Sequence, residues 1–295
     1  MGDRYSLIDI GNISKPIAGV ANNFIDKISA ALGWAFNRKN IEPAIAEANK
    51  SIIEEISNRQ DINPIERAAF VNNYKKIVKE YGNQCDIIQK AIEHLNPDAK
   101  IEDVNDDWIM FFFDKVKNVS EDYMKDIWAK ILSGEFNKPN TYTKQFIHTM
   151  SIMDTNLAMR FQKLRSSCFF IPPKLYLFIY RTNNKDINNG AKYKTLNINF
   201  KDFRELETIG LIRCRHHKFY TIKKNEVVLY YGSKKIMLSS NKAKIATGNV
   251  TLTNTGKQLC SISPMEYREE VLNICIKTWE KLGYNPIIEE VENDD

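Results

Sequence analysis

Apolar residues recur every three or four positions through the first half of the chain. Between Ser14 and Phe36, the positions Ile17, Val20, Phe24, Ile28, Leu32 and Ala35 make one stripe, with Ser14 as cap and Pro16 in the first turn of the predicted helix. Ile41, Ile45, Ala48, Ile52 and Ile56 continue the period on a second helix. Asn63, Pro64 and Glu66 then read as a helix start: a capping side chain, a proline at the first position and a glutamate able to reach back. The third helix carries Ile65, Ala69, Tyr74, Ile77 and Tyr81, and the pair predicts a helical hairpin at about 41–81. Its weak heptad pattern suits packing within one chain or self-association.

Residues 84–95 read as a short helix closed by "NPD". Asp106 and Asp107 stand where a helix N-terminus favours negative charge, ahead of the apolar face of Trp108, Phe112, Phe113 and Val116. Ser120 is expected to cap the next helix, lined by Met124, Ile127, Trp128, Ile131 and Leu132, and Gly134 to end it.

The pattern changes near Ser166. "CFFIPPKLYLFIYR" is strand-like and broken by two prolines, and "TNNKDINNGAK" is a polar loop. Asn199 caps a helix with Phe200, Phe203, Leu206 and Ile209 on one face, and Gly210 turns the chain into "LIRCR". Strands follow in "KFYTIKK", "EVVLYY" and "KIMLSS", with a hairpin turn at Gly232 and Ser233. Thr253 then ends a strand and caps a short helix holding Leu259 and Ile262. The last segment predicts a helix with Val271, Ile274, Cys275, Thr278 and Leu282 inward, then a strand that packs on the module's sheet. Its acidic end is expected to screen basic surface when no partner is bound.

The order helix, "L-x-x-x-G-L-I", β-hairpin, "L-T-x-x-G-x-x-L" resembles the second half of winged-helix domains, with one additional long hairpin. The expected class is therefore α+β. An all-helical assembly domain over 1–165 precedes a basic, winged-helix-like domain over 166–295 with an extra β-hairpin.

Charge sharpens this division. Residues 160–260 hold 20 Lys or Arg against 5 Asp or Glu, while the remainder holds 22 against 32. Such a basic half attracts polyanions, nucleic acid or an acidic membrane surface, or docks onto an acidic neighbour, the N-terminal half of this chain included. The candidate contact residues are Arg213, Arg215, His217, Lys218, Lys223 and Lys224 on the wing, with Lys234 and Lys235 on the next hairpin. Strand alternation puts Arg213, Arg215 and His217 on one face, which suits phosphate contact without base reading. The helix after Asn199 offers Lys201 and Arg204, but Asp202, Glu205 and Glu207 would repel phosphates, so reading of bases through it is not expected. A solvated or protein-facing basic surface is the competing interpretation.

Other chemistry is sparse. Nucleophile elbows, phosphate-cradling glycine loops, HExxH and dinucleotide fingerprints do not occur, so no enzyme and no cofactor are expected. Cys214, His216 and His217 fall short of the four ligands of a structural zinc site. Five scattered cysteines without CxxC spacing fit a reducing cytoplasm. The opening "MGDRYSLIDIGNISKP" has no signal-peptide pattern, and no run approaches the roughly 18 apolar residues of a membrane span. The stripe at 14–36 could still lie in a membrane interface, anchored by Trp34 and Phe36, although its polar face carries few cations.

The run from Trp108 through "VSEDYMKDIWAKILSGE" into "NKPNTYTKQFIHTMSIMDTNLAMRFQKL" resembles the central signature of a bacterial family labelled a domain of unknown function. "IDIGNISKPIAGVANNFIDKISAALGW" is similar to the opening of the same family. More distantly, the chain resembles the abortive-infection alpha proteins, with their Trp-containing helix and basic C-terminal module. That resemblance implies a role in defence against phage, carries no catalytic residue, and leaves three expectations. They are a non-enzymatic homo-oligomer whose basic domain binds nucleic acid or a phage protein, a winged-helix transcription regulator, and a membrane-acting effector.

Overall fold

The computed structural model describes residues 15–34, 41–180, 198–215, 218–263 and 265–291. The chain divides into two compact units, Met1–Ser151 and Ile152–Asp295. The boundary falls one helix earlier than the expected Ser166, because the helix over 155–165 packs against the helix over 200–208.

The first unit is helical: α1 (Lys15–Leu32), α2 (Ile41–Ser57), α3 (Pro64–Ile92), α4 (Asp106–Val116), α5 (Asp122–Asn137) and α6 (Lys144–Ser151). At the start of α3, Asn63 Oδ1 accepts from the Glu66 amide at 2.9 Å and Glu66 Oε2 from the Asn63 amide at 3.1 Å, the reciprocal cap expected there. The helix then runs 29 residues without a break, so the segment expected as a separate helix at 84–95 is its C-terminal half. A glycine inside a helix costs about 1 kcal/mol, and burial of Cys85, Ile87, Ile88, Ala91 and Ile92 outweighs that cost at Gly82.

Two further boundaries differ from expectation. Glu121, not Ser120, occupies the cap position of α5, and the helix continues through Gly134 to Asn137. Gly134 is there for space: a Cβ would stand 2.9 Å from the Tyr142 ring. The loop that brings Tyr142 in is held by buried Glu135, which accepts from the Asn140 amide at 2.7 Å and the Tyr142 amide at 2.8 Å. Trp108 Nε1 donates to the Tyr142 carbonyl at 2.7 Å.

The described part of the apolar stripe of α1 lies in this core, Ala35 falling outside the described residues. Ala21, Phe24 and Ile28 are fully buried, with Phe24 edge-on to Phe136 at 4.6 Å, and Trp34 packs on Tyr81 and Phe113. A membrane surface would have to compete with that packing for the same face; Ser14 and Phe36 lie outside the described residues. No helix among the described residues is long and apolar enough to cross a membrane.

The second unit is mixed. In order it contains α7 (Thr155–Arg165), β1 (Cys168–Ile171), β2 (Lys174–Leu177), α8 (Phe200–Thr208), β3 (Ile212–Cys214), β4 (Tyr220–Ile222) and β5 (Glu226–Tyr231). β6 (Lys234–Ser240), β7 (Ile245–Gly248), β8 (Val250–Leu252), α9 (Asn254–Ile262), α10 (Glu269–Lys281) and β9 (Tyr284–Glu290) complete it. An antiparallel sheet has the order β2-β1-β5-β6-β9. The C-terminal helix and strand are built onto it as expected: β9 extends the edge beside β6, and fully buried Trp279 of α10 meets Phe169 and Phe178, each at 5.6 Å.

The remaining strands form a ribbon. β3 pairs with β8 from Ile212↔Leu252 to Cys214↔Val250, the Arg215 amide donates to the Asn249 carbonyl at 2.8 Å, and β4 pairs with β7 from Tyr220↔Gly248 to Ile222↔Ile245. β3 and β4 therefore follow one another along one side of a two-stranded ribbon, rather than lying side by side as a hairpin. The β5–β6 hairpin leaves its far end and joins the five-stranded sheet. Gly248, at φ +110°, is required where the strand beyond β2 crosses the ribbon, since a Cβ would stand 1.9 Å from the Ile179 carbonyl oxygen.

Candidate functional site

The helix α8 begins at a second reciprocal cap: Asn199 Oδ1 accepts from the Asp202 amide at 3.1 Å, and Asp202 Oδ2 from the Asn199 amide at 2.8 Å. Phe203 and Leu206 are buried, and the capping geometry also buries the Asp202 side chain. Lys201, Arg204 and Thr208 are exposed, and their spacing of three and four puts them on one stripe. The Arg204 guanidinium lies 5.1 Å from the centre of the Phe200 ring.

The three acids of this helix are not an open negative face. Arg160 Nη1, from α7, lies 2.9 Å from Asp202 Oδ1 and 2.7 Å from Glu205 Oε2, and Lys201 lies 3.6 Å from Glu205 Oε1. Glu207 Oε1 accepts from the Cys214 amide at 2.7 Å. Asp202 and Glu205 are paired with cations and Glu207 is turned to a backbone amide, so the open acidic face expected here is reduced and the outward stripe carries Lys201 and Arg204.

On the ribbon, Arg213, Arg215, Lys218, Lys223 and Lys224 are exposed. Among the described residues, the ion pairs of this unit are made by Arg160, Lys201, Lys234, Lys235 and Arg268, and by none of these five. The Arg215 guanidinium stacks on the Tyr220 ring at 4.0 Å, which fixes its plane. The alternation invoked for Arg213, Arg215 and His217 stops at Cys214, where β3 ends; Asn249 accepts from the Arg215 amide and donates to the Lys218 carbonyl, and His217 lies outside the described residues. Lys244 was missed by the sequence reading. It precedes Ile245, the partner of Ile222, so the register places it across from Lys223. The signal was present in "NKAK", but only strand pairing reveals its neighbour.

Lys234 and Lys235 do not belong to this set. They sit opposite Glu290 and Glu289 in the β6–β9 ladder, with Lys234 Nζ 3.4 Å from Glu290 and 3.5 Å from Glu269, and Lys235 Nζ 2.9 Å from Glu289. The Glu290 carboxylate, and then Glu269, raise the Lys234 ammonium above its ordinary value, and Glu289 does the same for Lys235. The described part of the acidic end thus neutralises the sheet edge; residues 292–295 lie outside the described residues. No group of three His, Cys, Asp or Glu among the described residues could hold a metal ion.

Fold and site together define a mixed α+β protein with a helical unit and a cationic two-stranded ribbon flanked by a cationic helix stripe. The chain belongs to the family described as "Protein of unknown function (DUF2806)", whose model matches residues 66–274, from the first turn of α3 into α10. No curated protein and no solved structure matches it.

Proposed function

We propose that the protein is a non-enzymatic binder of nucleic-acid backbone that acts in bacterial defence against phage, gripping phosphates with its ribbon and self-associating through its helical unit. The carrying observation is the set of exposed ribbon cations, Arg213, Arg215, Lys218, Lys223 and Lys224 with Lys244 beside them, outside the unit's ion pairs. Cations of this kind neutralise phosphates without selecting sequence. We read α8, the ribbon and α9 as a winged helix whose wing carries an inserted hairpin. The defence setting follows from the resemblance to abortive-infection alpha proteins and is tested separately by plating phage on cells with and without the gene. Self-association follows from the α2–α3 hairpin, where no residue from Ser51 to Tyr81 is buried and Phe70 and Ile77 are 55% and 54% exposed.

The test of binding is fluorescence anisotropy of the full chain with short duplex DNA, single-stranded DNA and RNA of unrelated sequences. Comparable affinities that fall steeply with salt support the reading; binding insensitive to salt refutes it. Capture of an acidic phage protein in the presence of excess DNA would move the partner from nucleic acid to protein. The outward stripe Lys201, Arg204 and Thr208 favours a second reading, a transcription regulator, which predicts one preferred operator sequence.

A further inference from the structure

We infer that Arg160 is a positioning residue of the nucleic-acid face: by neutralising Asp202 and Glu205 it lets α8 lie beside phosphates that those acids would otherwise repel. The inference rests on the binding reading above and adds to it a residue on another element, outside the exposed cationic set.

The geometry shows why α8 needs such a partner. The Asp202 carboxylate is buried and held in place by the helix cap through the Asn199 amide, so its charge cannot move away from α8. Glu205 is one turn further along and half-exposed, between Asp202 and the outward Lys201–Arg204 stripe. One guanidinium nitrogen of Arg160 reaches both carboxylates, at 2.9 Å and 2.7 Å. Glu207 is turned to the β3 amide of Cys214 instead. The result is a helix with three acids and two bases in its sequence whose exposed stripe offers Lys201, Arg204 and Thr208. Removing Arg160 would leave two carboxylates uncompensated except for the 3.6 Å contact of Lys201 with Glu205. At separations of about 8 Å in a water-like dielectric, each costs about two- to threefold in affinity for a phosphate backbone.

The test uses the full chain and duplex DNA of mixed sequence at low salt. R160A is expected to bind about fivefold more weakly, and R160A/E205Q to recover at least half of that loss on a logarithmic scale, because the second change removes one of the uncovered charges. E205Q alone is expected to gain no more than about threefold over the wild type, the effect of one charge at that distance. Melting temperatures separate masking from a purely structural role, which E205Q would not rescue. R160A binding as the wild type does overturns the inference alone, as does a loss that E205Q leaves unchanged, which would mean that Arg160 itself grips the backbone. If R160A does not fold, E205Q carries the decision: a gain in affinity above about threefold, more than one charge accounts for, overturns the inference, whereas any smaller change supports it. A wild type without salt-sensitive binding overturns the binding reading, and this inference with it.

Discussion

Replacing Arg213 and Arg215 together by alanine tests the ribbon against the sheet edge within one molecule. Each phosphate contact on duplex DNA contributes about 0.9 to the slope of log affinity against log salt, so losing two should flatten that slope by about 1.8. Over a fourfold rise in salt, from about 50 to 200 mM, the wild type should therefore lose about twelvefold more affinity than the variant. The paired variant K234A/K235A removes the same formal charge from lysines that already face Glu269, Glu289 and Glu290. Its slope should match the wild type. Folding is not a confounder for Arg213, which is exposed, but Arg215 stacks on Tyr220, worth about 0.5–1 kcal/mol at an exposed site. R213K/R215K is therefore included; it keeps both charges and should keep the slope. The assay is anisotropy at five salt concentrations. Equal flattening by the two alanine pairs would refute the assignment, because it would mean that the pairing seen at the sheet edge does not remove those lysines from the binding surface.

Three other outcomes follow from the packing. G256A should lower the unfolding free energy by about 3 kcal/mol in urea titration, since a Cβ there would stand 2.0 Å from the Leu211 carbonyl oxygen, whereas G19A in α1, with open space around it, should be neutral or stabilising. Burial raises the Glu135 carboxyl above its ordinary value against the pull of the Tyr142, Asn140 and Thr141 amides. Such a group gives stability that is full below the unfolded-state value and lost as pH rises through the folded-state value. Relative to non-titrating E135Q, wild-type stability should accordingly fall on going from about pH 4 to neutrality, and a relative gain over that range would refute the burial argument. F70D/I77D should reduce the light-scattering mass of the protein to that of one chain while leaving its helical circular dichroism unchanged; a wild type that is already monomeric at high micromolar concentration refutes the assembly role of the hairpin.

The parts of the fold that were legible in the sequence depend on neighbours a few residues away. Asn63 with Glu66, Asn199 at its helix start, and Thr253, whose hydroxyl accepts from the Gly256 amide at 3.0 Å, are all local devices. The separate helix expected at 84–95 failed for the complementary reason: the local preference of Gly82 is against helix, and only packing of the flanking turns overrides it. The ribbon was beyond reach because β3 pairs with a strand that follows two further hairpin strands. The charges of α8 were misread similarly, since their partner Arg160 lies 45 residues before Glu205. One long-range pairing did leave a trace: Lys234-Lys235-Ile236 and Ile288-Glu289-Glu290 are mirror images in charge and polarity, the pattern of an antiparallel ladder with cross-strand ion pairs.

Pairing by the fold turns a diffuse charge surplus into a localised one. Within residues 160–260 the cations outnumber the acids by 20 to 5, a statement that says nothing of place. In the structure Arg160 and Lys201 take up Asp202 and Glu205 of α8, and acids from beyond residue 260 take up Lys234 and Lys235. The β6–β9 edge of the five-stranded sheet thereby gives up its charge, and the ribbon keeps its own. That distribution suits the shapes involved. A broad sheet meets a nucleic-acid duplex along few phosphates, whereas a two-stranded ribbon is narrow enough to follow a groove and twists more strongly than a sheet does. If the ribbon binds as proposed, through backbone contacts alone, it would belong to the weak, salt-sensitive class of binders. Two ribbons joined through their helical units would bind one polyanion more tightly than either alone, provided both can reach it. Assembly and charge placement are in that sense one argument: the helical unit is what would make a non-selective ribbon useful.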